Sequence, residues 1–154
     1  MASNRIEIDI SRSRSLTQRL FGVFSRNYTR RLEDALEQGA RNGTADVLDE
    51  WKRESVDLAP LEFGALRRGI DTNTEQSGSK LGGVITSSAV SKKGRKRFDY
   101  ATYIHDRFPR TSFKSPTTPG TIPKYLDKPL ADNGAKWAKM IEAEMKAEAK
   151  RRGF

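Results

Sequence analysis

LGGVITSSAVSKKGRKRFDYATYIH fills residues 81–105, and its reading decides the fold. Leu81–Val90 is short and β-branched, which predicts a strand. KKGRKR (Lys92–Arg97) holds five basic residues around Gly94 and is expected to be a turn. Phe98–His105 alternates Phe98, Tyr100, Thr102 and Ile104 against Asp99, Ala101, Tyr103 and His105. That period of two predicts a returning strand, with the first set facing a sheet core. Two strands about a Gly-containing turn make a β-hairpin.

Towards the N-terminus, DTNTEQSGSK (Asp71–Lys80) is polar and rich in Gly and Ser, so a loop or hairpin connection is expected. APLEFGALRRGI (Ala59–Ile70) has turn chemistry at Pro60 and Gly64, then a strand start over Ala65–Ile70. Before it, Tyr28, Leu32, Leu36, Ala40, Val47 and Trp51 recur at helical spacing, opposite Glu33, Asp34, Glu37, Arg41, Asp46, Asp49 and Glu50. This predicts a helix from about Asn27 to about Val56. Gly39 and Gly43 each cost about 1 kcal/mol there relative to Ala, so they point to a close packing partner or a bend. A shorter helical turn near Leu16–Phe24 and a polar connection at Ser11–Ser15 precede it. Arg5–Ile10 alternates Ile6, Ile8 and Ile10 against Arg5, Glu7 and Asp9, a short strand with one buried face.

Towards the C-terminus, Asp106–Pro123 holds four of the six prolines and has no period. It is expected to be an extended loop, and loops of this length are usually functional or disordered alone. Lys124–Leu130 reads as a helical start with Pro129 tolerated early. Leu126, Leu130, Trp137, Ile141 and Met145 continue a stripe to about Lys150. Trp51 and Trp137 sit in the two stripes and are expected in the core. The order of elements predicts an α+β fold. A small antiparallel sheet is packed by a long N-terminal helix and a C-terminal helix, in one domain spanning 1–154.

The chain has 154 residues, no cysteine, 35% apolar and 32% charged residues, and a net charge of +9. A thin core is expected, or a protomer completed by neighbours. There are no disulfides and no thiolate chemistry. No run approaches the ~18 apolar residues of a membrane span, and no signal-peptide pattern is seen, so no membrane partner and a cytoplasmic site of synthesis are expected. The charge is segregated. Residues 1–31 hold seven basic and two acidic groups, +5, and residues 32–63 hold three and nine, −6. Residues 64–121 hold eleven and four, +7, and residues 122–154 hold eight and five, +3. Acidic and basic blocks suit complementary faces between copies as well as a polyanion.

Catalytic and metal sets are thin. His105 is the single histidine, no Gly-x-Ser-x-Gly elbow occurs, and no His/Cys cluster suits zinc. No phosphate-cradling Gly-rich loop occurs either. No enzyme activity, cofactor or metal is expected, and His105 reads as structural. Asp49 and Glu50 read as a solvated helix face. KKGRKR has three readings: a solvated or protein-facing tip, a phosphate-binding patch, or a targeting signal. Base-stacking binders interleave aromatics with cations, whereas Phe98 and Tyr100 read better as sheet core.

Three segments in order carry a resemblance: Ala59, Pro60, Glu62, Gly64, Leu66 and Arg67; then Tyr100, Ala101, Tyr103, His105 and Asp106; then Lys124, Tyr125, Leu126, Pro129 and Leu130. Together with the preceding helical stripe, this set resembles the tail-completion, or head–tail joining, proteins of tailed phages, also called minor capsid or neck proteins. The resemblance covers roughly residues 5–150. Where many members have Glu-x-Gly-Thr, this chain has His105-Asp106-Arg107-Phe108, and Phe63 stands where a Thr is common.

The resemblance implies a structural virion protein, assembled in the bacterial cytoplasm and without enzymatic activity. It implies a homo-oligomeric ring, commonly sixfold, between the head connector and the tail tube or terminator, with DNA passing through its channel. Pro60, Gly64, Leu66, Tyr100, Tyr125, Leu126 and Pro129 would then shape the fold. Lys92, Lys93, Arg95, Lys96 and Arg97 of the tip, with Arg107, Phe108, Arg110, Phe113 and Lys114 of the loop, would meet protein neighbours or the DNA channel. The alternative is a basic accessory protein that binds double-stranded nucleic acid.

Overall fold

The computed structural model describes residues 1–9, 26–61 and 64–154, without the side chains of Arg26 and Lys93. The elements are β1 (Ala2–Asp9), α1 (Arg26–Leu58), α2 (Ala65–Arg68), β2 (Ile70–Ser77), β3 (Lys80–Ser87), β4 (Val90–Lys93), β5 (Lys96–Asp99), α3 (Tyr100–Thr102), a π turn (Tyr103–Arg107) and α4 (Asp127–Arg151). The chain is α+β, with a long N-terminal helix, a small antiparallel sheet and a C-terminal helix. The expectations for Ile10, Ser11–Ser15, Leu16–Phe24, Glu62 and Phe63 lie outside the described residues.

Two compact units form. The first comprises Met1–Arg5, Leu48–Asn73 and Val84–Gly134; the second comprises Ile6–Val47, Thr74–Gly83 and Ala135–Phe154. In the second unit, the α1 stripe packs as the sequence predicts. Buried Ala40 and Leu81 gather Ile8 and Met145, and buried Leu32, Ala35 and Ala149 gather Leu36 and Phe154. Gly39 and Gly43 mark a close approach. A Cβ on Gly39 would lie 2.5 Å from the Met145 Cα, and one on Gly43 2.8 Å from the Ile141 Cα. Only glycine lets the α4 backbone seat there. The last turn of α4 is tied by Arg151 to Glu144 and Glu148 and by Arg152 to Glu148. Those guanidinium bonds hold the Glu148 carboxyl below the usual carboxylate range.

In the first unit, Trp51 is fully buried and donates from Nε1 to the Leu126 carbonyl at 2.8 Å. Pro129 sits in the first turn of α4, where a missing N–H costs nothing. The helix starts at Asp127, three residues beyond Lys124, whose carbonyl accepts from the Asp127 and Lys128 amides.

Four local expectations are corrected. Ala65–Arg68 is helical, and the strand begins at Ile70. Gly64 adopts φ 66° before the turn, Leu66 is buried, and the Gly69 amide closes it onto the Ala65 and Leu66 carbonyls. Asp71–Ser77 is strand and not loop, and only Gly78 and Ser79 turn between β2 and β3. β2 is exposed along nearly its whole length, so pairing with β3 outweighs its weak intrinsic propensity. Leu81–Val90 is not one strand. It breaks at Ser88 and Ala89, giving a three-stranded sheet ordered β1–β3–β2 and a separate two-stranded β4–β5. The Ser88 amide donates to the Gly69 carbonyl, and the Ala89 carbonyl accepts from the Tyr100 and Ala101 amides. The fourth correction concerns Phe98–His105, where strand character ends at Asp99.

Candidate interaction surface

Lys92–Arg97 does form a hairpin tip. β4 and β5 pair antiparallel with Lys92 opposite Arg97 and Lys93 opposite Lys96, leaving Gly94 and Arg95 as the turn. Gly94 takes φ 64°, the left-handed conformation that two-residue hairpin turns require. Opposite partners share a face, so Ser91 and Phe98 lie with Lys96, while Val90 and Asp99 lie with Lys92 and Arg97.

The hairpin ends because Asp99 caps the helical turn after it. The Asp99 carboxylate accepts from the Thr102 amide at 3.1 Å and from the Thr102 hydroxyl at 2.9 Å. It also meets the Met1 amino group at 2.7 Å. That amino group, with the Thr102 bonds, holds the Asp99 carboxyl down to about 2. An Asx cap of this kind competes with a strand ladder and wins here. The chain then winds through α3 into the π turn.

This change of path moves the aromatics. Phe98, expected in a sheet core, is 50% exposed, and Tyr103 is 38% exposed. The Phe98 and Tyr103 rings lie 5.6 Å apart, Tyr103 and Phe108 6.4 Å, and Phe108 and Phe113 5.0 Å. The four recur every five residues and form one row from the hairpin into the Pro-rich loop. The sequence reading missed the row because it judged Phe98 and Tyr100 as a strand face. The five-residue beat is the signal that could have found it.

Cations neighbour the row in sequence: Arg97 precedes Phe98, Arg107 precedes Phe108, and Lys114 follows Phe113. Lys96 shares the hairpin face of Phe98, and Arg97 lies on the other. Lys92, Arg95, Lys96, Arg97, Arg107, Arg110 and Lys114 are all exposed. Among the described residues, none of these seven side chains has an ion pair or hydrogen bond. The second unit differs, since Arg41, Lys80, Lys146, Arg151 and Arg152 there all meet carboxylates. The structure therefore brings the expected tip and loop residues to one hairpin-and-loop region; for Lys93 it gives only the backbone position.

The resemblance-carrying segments converge beneath this surface. The chain matches no family model, no curated protein and no solved structure. Pro60 and Leu66 from the first segment, and Tyr100 and Ile104 from the second, line one cavity of about 160 Å³ with Phe113 and Pro116 of the loop. Arg67 Nε donates to the Ala59 carbonyl at 2.9 Å, closing the first segment on itself. His105 is 3% exposed, with Nδ1 2.6 Å from Asp106 and Nε2 3.4 Å from Asp127. Its ring meets the Tyr125 ring edge-on at 5.3 Å. The Tyr125 hydroxyl lies 2.9 Å from Ser87 Oγ, and burial pushes that phenol up to about 12. The loop is tied at its far end by the Ile122 amide to the Leu58 carbonyl.

This arrangement positions a surface. Among the described residues, no group of three or more His, Cys, Asp or Glu could hold a metal ion. Among the same residues, no helix is long and apolar enough to cross a membrane.

Proposed function

We propose that this protein is a structural component of a tailed-phage virion, acting at the junction of head and tail. The observation that carries this reading is the convergence of the three resemblance-carrying segments. Residues far apart in sequence line one cavity, and Tyr125 and Asp106 contact one buried histidine in the first unit. Pro60, Gly64, Leu66, Tyr100 and Tyr125 shape a platform, and the hairpin and loop project from it as contact elements.

In this reading the chain assembles with copies of itself into a ring, and the ring meets the head connector on one side and the tail on the other. Segregated charge supports such a role, because complementary faces set register between neighbours. The work of the protein is binding and geometry, without catalysis or cofactor.

The test is electron microscopy of particles produced after deletion of this gene from the genome that carries it. Filled heads beside finished, unattached tails are expected, with joining restored by the purified protein. Normally joined particles would overturn the assignment.

A further inference from the structure

We infer that the hairpin-and-loop face binds single-stranded nucleic acid, with Phe98 and Tyr103 stacking on bases and Lys96, Arg107 and Arg110 contacting phosphates. The inference rests on the observed surface and stands independently of the assembly role. Large aromatic rings are ordinarily buried, yet these two expose 50% and 38% of their surface. Phe98 is carried on the β4–β5 ladder, and Tyr103 contacts the Phe98 and Phe108 rings. A pre-positioned ring loses little freedom on binding and offers a π-face to a planar partner.

The surrounding charge selects the partner. Seven exposed cations without carboxylate partners among the described residues call for a polyanion. A duplex presents base edges in its grooves and would leave the ring faces unused. An unpaired strand offers a base face and a phosphate at each nucleotide, matching rings interleaved with cations. An acidic protein segment would answer the charge, but the cores of protein interfaces are depleted in lysine, and Lys96 lies on the face of Phe98.

The experiment is a fluorescence-anisotropy titration of the full chain at about 150 mM salt. The probes are a labelled oligothymidylate of about 16 nucleotides, its duplex with oligoadenylate, and labelled polyglutamate. Binding to the single strand is expected to exceed binding to the duplex by about tenfold or more. Phe98→Ala and Tyr103→Ala should each weaken single-strand binding by about tenfold, and Phe98→Trp should preserve it. Contact with three phosphates gives a log–log salt slope of about −2.1, which Lys96→Ala should reduce by about a third. Equal affinity for duplex and single strand, unchanged by Phe98→Ala, would overturn the proposal in favour of simple phosphate attraction. Preference for polyglutamate would overturn it in favour of an acidic protein partner, and no binding to any probe would overturn it outright. Particle assembly is read separately, so either idea can fail alone.

Discussion

Tyr125 shows how one hydroxyl ties fold to conditions. Its ring is fully buried, and its hydroxyl has Ser87 as partner. Tyr125→Phe should cost about 1 kcal/mol at neutral pH, because the Ser87 hydroxyl loses its partner. The phenol titrates near 10.0 when unfolded and about 12 when folded, so the folded state holds its proton more tightly. That contribution is complete below pH 10 and is lost as the pH rises from 10 to 12. Urea titrations across this range should show wild-type stability falling more steeply than that of Tyr125→Phe; parallel curves would remove the assignment. Glycines give a second contrast at this scale. Gly39→Ala gains about 1 kcal/mol of helix propensity but drives a Cβ to 2.5 Å from the Met145 Cα, and overpacking of that kind costs about 1–3 kcal/mol. Gly134 lies in α4, where an added Cβ would meet only Leu130 Cδ1 at 3.8 Å. Thermal melts should therefore show Gly39→Ala destabilised and Gly134→Ala stabilised by about 0.5–1 kcal/mol.

Elements were legible where periodicity ran long. The α1 and α4 stripes gave both helices to within three residues at each end, and Trp51 and Trp137 are buried as their positions imply. The hairpin tip was legible from Gly94 and its basic neighbours. Short segments were not, because a single side-chain bond can redirect them. Asp99 turns an apparent strand into a helical turn, and that turn exposes Phe98 and creates the aromatic row. Nothing in the alternation of Phe98, Tyr100, Thr102 and Ile104 announces the cap. Asp99→Ala should accordingly cost about 1 kcal/mol and loosen the Tyr100–Arg107 segment, read as faster amide hydrogen exchange there. The Asp99 carboxyl titrates at about 2 in the fold against an ordinary 3.8, so its stabilisation is present above pH 3.8 and fades as the pH falls towards 2. Wild type should lose its advantage over Asp99→Ala across that window.

At the scale of the whole molecule, five cations of the second unit meet carboxylates, while those of the hairpin and loop have no carboxylate partner among the described residues. Excising residues 109–119 in favour of a short Gly-Ser linker leaves the His105–Asp106 hydrogen bond and the Ile122 tie in place. The shortened chain should keep its circular-dichroism spectrum and cooperative unfolding yet, on the proposed assembly role, fail to join heads to tails. Normal particle yield would show that the loop has no part in assembly. The two helices also form a mechanical element. Gly39 and Gly43 are notches one turn apart, and the α4 backbone rests in both. Sliding α4 along α1 by even one residue's rise of about 1.5 Å would drive neighbouring side chains against that backbone. Pulled along their axes, the helices should resist as one strut and release in a single step, with no gradual creep. On the proposed assembly role, such a stop would suit a part that must hold position while force passes through it.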